Sequence, residues 1–354
     1  MAQYLSYIHN LRGLAILIIV SVHARGYEQD WHSNPATRHV LNTFFDASEG
    51  NGTVLFVFIA GFLFQHIYHH NFNFMEYLRK KFKVIIVPYI VISVPLILFR
   101  VYSGFESLSL PPGFHEYTPA YQFFYMLLTG THLPPFWFIL MVILIYLSTP
   151  LLYALDKSGF HHYVFPLIIV MGFFTFRPEH NANPILAYLH FIPIYVAGML
   201  ASYNKEWILS AGLKLLIPLV LIYVALVASD LTGWLRLNPG ISFEKVIRDQ
   251  QLTFNIYYFE AFVLCLILVI VFHRLKKLPM PFLEIIGHYS FGIYFLHFIF
   301  ISISREMLNR LGYTLDFSLL SYLLYFLLIL LLSVTAVYFL KKLTGHYSRY
   351  LIGS

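Results

Sequence analysis

The chain has 354 residues, of which 59% are hydrophobic and only 11% charged, with a formal net charge of +6 and a mean hydropathy of +0.70. Soluble domains carry roughly 25% charged residues, so a soluble protein is excluded, and the apolar runs lack the alternation of barrel strands over about 10 residues. The single cysteine, Cys265, excludes an intrachain disulfide and argues against a cysteine-based zinc site.

The first apolar run, IHNLRGLAILIIVSVHARGY, contains Arg12 and His23. The preceding MAQY carries no Lys or Arg and Arg12 interrupts the run, unlike a cleavable signal. A charged side chain inside a membrane segment is costly enough to be read as functional. Arg12 could simply snorkel toward headgroups, and His23 alone could be an interfacial histidine. Eleven positions apart on one helix, however, they face nearly the same way, roughly 16 Å apart along the axis. A histidine can take a proton from a hydroxyl nucleophile, and an arginine can hold a phosphate by charge-assisted, bidentate contacts.

Crossing about 30 Å of hydrocarbon takes roughly 20 residues. Stretches near 5–24, 52–70, 84–103, 134–155, 161–177, 184–202, 207–228, 252–272, 287–304 and 318–340 meet or approach that length. They predict a single-domain, all-α integral membrane protein over 1–354: a bundle of about ten transmembrane helices. The 161–177 stretch is short and contains Pro166, and 120–130 is too short to span and reads as interfacial or re-entrant. With the N-terminus inside, the inner loops hold 13 basic and 4 acidic residues, the outer segments 9 basic and 12 acidic. The positive-inside bias therefore places both termini in the cytoplasm.

Within FMEYLRKKFKVIIVPY, residues 74–89, the cluster Arg79, Lys80, Lys81 and Lys83 lies on the inner side. Topology and attraction to anionic lipid explain most such clusters; beside an inward-facing Arg12, docking of a coenzyme phosphate becomes the functional reading. Further along, THLPPFWFI places His132 and Trp137 at the outer start of a span. Glu260, in LTFNIYYFEAFVLCLILVIVF, must pair or be protonated; it could orient His23 or the substrate, a job for which Asp46 and Glu49 of the first outer loop compete. Ser290 and His297, in GHYSFGIYFLH, are seven residues apart. That is about 10 Å of rise, too far for a nucleophile pair, and reads as packing and a polar network.

Several blocks, in this order, resemble the membrane acyltransferase-3 family. LRGLAILIIVSVHA carries its R-x10-H pattern, and GTVLFVFIAGFLF looks like its second block. The basic run before Pro88-Tyr89 is similar to its Arg-rich loop, FWFILMVILIYLSTPLL to its Trp-Phe span, and IIGHYSFGIYFLH to its late Ser/Tyr/His block. The resemblance implies an O-acyltransferase moving an acyl group, usually acetyl, from cytoplasmic acetyl-CoA or another acyl-CoA to a hydroxyl of an extracytoplasmic polysaccharide or lipid-linked glycan. It places the enzyme in the inner (cytoplasmic) membrane of a bacterium, with the lipid bilayer, the donor and the glycan as partners, and with neither metal nor nucleic acid. It implies His23 as the essential histidine, acting as general base or, second, through an acyl-histidine relay, and Arg12 on the donor. With Glu260 as a second catalytic candidate, the donor site is expected to comprise Arg12, Arg79, Lys80, Lys81 and Lys83, and the acceptor site Asp46 and Trp137. Two departures stand out: Ala60 replaces the usual Ser, and Lys81, Lys83 and Val84 replace a more Arg-rich pattern. Lysine cannot reproduce bidentate phosphate contacts. A transporter or flippase for a lipid-linked glycan, its path lined by intramembrane charge, is the alternative; it would need no site for a CoA phosphate.

Overall fold

The computed structural model describes residues 5–25, 51–104, 109–178, 181–232, 234, 254–312 and 319–354, and among these it contains helices and no strand. In chain order the helices are α1 (Ser6–Arg25), α2 (Asn51–Tyr68), α3 (Phe74–Lys81), α4 (Val87–Ser103), α5 (Pro119–Thr129), α6 (Trp137–Lys157), α7 (His161–Gly172), α8 (Pro184–Tyr203), α9 (Lys205–Ala211), α10 (Leu213–Leu231), α11 (Ile256–Arg274), α12 (Pro281–Arg310), α13 (Leu319–Thr344) and the short α14 (Ser348–Leu351). Among the described residues, eight helices or continuous helix pairs are long and apolar enough to cross a membrane, or nine if the bent pair α9–α10 is one span. The protein is an all-α, multi-pass membrane protein.

Two expected spans differ in form. The 161–177 stretch is helical only over its first twelve residues. Thr175 Oγ1 donates to the Gly172 carbonyl and the Asn255 N–H bonds the Phe173 carbonyl, so neighbouring groups take up the backbone where the helix stops. The 207–228 stretch bends by 83° at Gly212, whose φ of +52° favours glycine.

Between α3 and α4 the chain runs as a π-turn over Phe82–Ile86. Pro88 has no N–H to continue the i→i−4 ladder, and the Val87 N–H bonds the Phe82 carbonyl instead. This inserted residue rotates α3 relative to α4 and so decides which basic side chain faces the bundle. α5 is eleven residues long, about 16 Å, and does not cross.

α1 is the hub, packing on α2, α11, α12 and α13, while α2 lies along α8. Lipid tails are as apolar as leucine, so helices associate in a membrane through close packing, with small residues where backbones approach. Gly61 sits against the Tyr195 backbone and Gly198 against that of Phe58, joining α2 to α8. Gly13 sits against the Leu283 carbonyl, and a Cβ on Gly287 would lie 2.5 Å from the His9 carbonyl oxygen, joining α1 to α12. Gly287→Ala is therefore expected to destabilise the protein by about 1–3 kcal/mol through overpacking. Leu331→Ala, at a 64% exposed position, should stay within about 0.5 kcal/mol; thermal unfolding of the two purified variants checks the contrast.

Candidate active site

α1 and α12 run parallel, and the contact at Gly13 and Gly287 fixes their register. The same offset of 274 residues sets His23 opposite His297, with His23 Nδ1 and His297 Nε2 2.9 Å apart. The rings stack at 5.1 Å between centroids and 26° between planes, and Phe298 meets the His23 ring edge-on at 5.5 Å. His297 is fully buried. Its Nδ1–H donates to the carbonyls of Ile293 and Tyr294, at 3.0 and 2.8 Å. A carbonyl only accepts, so neutral His297 carries its proton on Nδ1 and offers a lone pair at Nε2. His23 must then donate from Nδ1, which leaves its own Nε2 unprotonated. That nitrogen has no hydrogen-bond partner among the described residues and is not enclosed. The arrangement is an imidazole oriented by a second imidazole, itself anchored to backbone.

At the other end of α1, Arg12 Nη2 donates to Ser290 Oγ at 2.9 Å, and the guanidinium lies 5.4 Å from the Phe291 ring centre. This pair has an offset of 278 rather than 274, so the arginine reaches about one helical turn along α12 toward His297. From Ser290 to His297 the rise is about 10 Å, shorter than the ~16 Å between the α1 positions themselves. Lys81 comes close enough to Arg12 for the two charges to interact, its ammonium 4.7 Å from the Tyr146 ring centre and 5.3 Å from that of Tyr77. The rest of the basic cluster points elsewhere: Arg79 is exposed, Lys80 pairs with Glu76 at 2.7 Å on the surface, and exposed Lys83 lies 6.0 Å from the Tyr350 ring centre. The structure thus brings Lys81 to Arg12 and leaves its three neighbours at the rim.

Two spaces adjoin these residues. A cleft of about 340 Å³ is lined by His9, Pro281, Glu284, Ile285, His288 and Tyr289; Lys341 Nζ donates to His288 Nε2 at 2.9 Å beside it. An apolar cavity of about 40 Å³ lies deeper. Phe291 and Tyr146, the rings that meet Arg12 and Lys81, line one part of it, and Ala60 another. Phe138 also lines it and packs 5.5 Å from Tyr294, one turn before His297. The cavity meets α12 at Phe291, near the level of the cations, and is too small for a nucleotide. A serine at position 60 would have put a hydroxyl on its wall; alanine keeps it apolar.

At the His23 end, the charged neighbours of the imidazole include Arg177 and Arg305. Arg177 lies 5.1 Å from the Trp137 ring centre and 5.6 Å from that of Phe191, so Trp137 joins this end of the site through a cation. Glu260 is fully buried on α11 with Tyr223 of α10 beside it, whereas His297 is what engages His23 Nδ1. Asp46 and Glu49 lie outside the described residues. His132 braces the bundle: its Nδ1–H donates to the Met126 carbonyl at 3.1 Å and its Nε2 accepts from Ser93 at 2.9 Å.

A family comparison gives the class of the chain. Residues 5–342 match the model of the acyltransferase-3 family, described as an acyltransferase domain. The chain belongs to that family and is a membrane acyltransferase. No curated protein and no solved structure gives a match. In this acyltransferase, sequence reasoning singled out Arg12, His23, Glu260, Asp46, Trp137 and the whole cluster Arg79, Lys80, Lys81 and Lys83, and assigned Ser290 and His297 only to packing and a polar network. It passed over Arg177 and Arg305, which carry no spacing signal because they reach His23 from separate elements.

His132 supplies a pH test of the scaffold. Burial lowers its pKa from 6.5 to about 4, so between those values the unfolded chain binds more protons than the folded one, and stability falls as pH falls. The contribution is complete above pH 6.5 and is lost progressively toward pH 4, up to about 3 kcal/mol. Thermal unfolding across that range should show this slope in the wild type and a shallower one in His132→Gln.

Proposed function

We propose that this acyltransferase moves an acyl group, acetyl in the simplest case, from acyl-CoA at the Arg12 end to a hydroxyl of an acceptor at the His23 end, with His23 as general base. The acceptor is an extracytoplasmic polysaccharide or lipid-linked glycan, and the enzyme sits in the inner membrane with its Arg12 end in the cytoplasm. The observation that carries the reading is one imidazole nitrogen of His23, held unprotonated by the His297 chain, on the same helix pair that carries Arg12 and Ser290 at its other end.

In the reaction, the acceptor hydroxyl gives its proton to His23 Nε2 and its oxygen attacks the thioester carbonyl. The C–S bond breaks, and the departing thiolate recovers the proton from His23. The positive charge formed on the way is shared through Nδ1 with His297, which plays the orienting part that a carboxylate plays in a triad. Because the partner is neutral, it stabilises the imidazolium less than a carboxylate would. Arg12 and Lys81 hold phosphate oxygens of the donor, and the wider cleft with His9, His288 and Lys341 admits its nucleotide end. The acyl-bearing arm follows the apolar cavity, which opens to admit it. The donor is thereby gripped by one arginine with lysine around it, which suits point-charge contacts more than a second bidentate fork.

Acyl transfer by the purified enzyme in nanodiscs, read as CoA release and acylated acceptor, tests these roles. His23→Ala should lose about 10²–10⁴-fold in kcat, and unchanged turnover in it would end the proposal. His297→Leu should lower kcat with little change in the KM for acyl-CoA. Arg12→Ala and Lys81→Gln should raise that KM about tenfold or more, as loss of a charge-assisted contact worth about 1.5–3 kcal/mol implies, whereas Lys80→Gln should leave it unchanged.

A further inference from the structure

Two cations beside His23 have no task in the reaction as written. Arg177 follows α7 and lies over the rings of Trp137 and Phe191. Arg305 stands two turns beyond His297 on α12, and side chains on a helix lean toward its N-terminus, so its guanidinium returns toward the histidine pair. Nε of Arg177 and Nη2 of Arg305 are fully enclosed and neither has a hydrogen-bond partner. Among the described residues neither guanidinium has an ion pair. The carboxylate next to Arg305, Glu306, is drawn away to Arg310 at 2.7 Å.

Enclosed donors without acceptors are costly, about 1–3 kcal/mol each and more for charged groups. Here they also stand where the reaction needs a third positive charge, because His23 becomes an imidazolium once it has taken the acceptor proton. Like charges close together oppose that step. Both difficulties disappear if an anion sits between the two arginines, accepts their orphaned N–H groups and neutralises their field. Stacking on Trp137 and Phe191 fixes the plane of the Arg177 guanidinium, so one edge of it is presented for such contacts, beside an aromatic wall of the kind that packs against a sugar face.

We propose that Arg177 and Arg305 form an anion subsite for the acceptor, so that the glycan carries a fixed negative charge, a carboxylate or a phosphate, next to the hydroxyl that is acylated. This rests on the reading of His23 as the base. It adds a consequence: the base works well only with the acceptor's anion in place, which suppresses wasteful transfer to water while acyl-CoA is bound alone.

The test uses the full-length enzyme in nanodiscs and three acceptor probes: methyl glucoside, methyl glucuronide and farnesyl phosphoglucose. Calorimetric titration in the presence of desulfo-CoA measures binding, and CoA release from acetyl-CoA measures turnover. The wild type is expected to bind at least one anionic probe about tenfold or more tightly than the neutral one. A preference for the glucuronide assigns the charge to the sugar, and a preference for the phosphoglucose assigns it to the lipid linkage. The combined variant Arg177→Gln, Arg305→Gln should erase the preference while keeping its thermal stabilisation by acetyl-CoA, which shows that it is folded; Arg177→Lys should retain part of the preference. Equal binding of all three probes by the wild type, or a preference that survives in the folded double variant, overturns the subsite. These outcomes are separate from the role of His23. If His23→Ala abolishes CoA release but no probe is preferred, only the subsite falls; if His23→Ala still turns over, the base falls whatever the probes show.

Discussion

The close approach of α1 and α12 at Gly13 and Gly287 governs the rest of the site. Without a side chain at either position the two backbones come into contact, and the register of one parallel pair of helices is fixed. From that register follow both polar links of the site: His23 falls opposite His297, and Arg12, one turn longer in reach, falls on Ser290. A membrane interior offers little hydrophobic incentive for helices to associate, so van der Waals contact at the glycines and two hydrogen-bonded links carry the association together. Structure and chemistry depend on the same few residues.

The orienting group for His23 is a neutral imidazole rather than a carboxylate, and the setting explains why this suffices. A carboxylate in the middle of a bundle would itself need partners to remain ionised. His297 needs only the carbonyls three and four positions before it on its own helix, those of Tyr294 and Ile293. The consequence is an imidazole that is firmly oriented but whose partner carries no compensating charge, with Arg177 and Arg305 as its nearby cations. The polar groups are divided in a similar way: Arg12 and Lys81 at one end beside a small apolar cavity lined by Ala60, and the histidine pair at the other end.

Much of this was legible in the sequence and some was not. Composition and run length gave an all-α membrane bundle, and the Arg12–His23 spacing put both candidate residues on one helix, α1. The spacing of Ser290 and His297 held a further signal: seven residues on α12 against eleven on α1 differ by four, one turn, which is the reach of an arginine. Reading those two pairs as partners required knowing that Gly13 and Gly287 meet, and contact between helices distant in sequence leaves no mark on hydrophobic periodicity. Among the clustered cations, the π-turn ahead of Pro88 selected Lys81, and a helical wheel drawn through the cluster cannot show it. Arg177 was illegible for a related reason, since the non-helical segment after α7 positions it.

The most direct measurement of the central claim is 15N solid-state NMR of the histidine-labelled enzyme in bilayers, with His23 and His297 assigned by single His→Gln variants. The account predicts that at neutral pH both rings carry their proton on Nδ1, that the Nε2 of His23 resonates as an unprotonated nitrogen, and that a coupling across the hydrogen bond joins His23 Nδ1 to His297 Nε2. A His23 protonated on Nε2, with no coupling to His297, would contradict it.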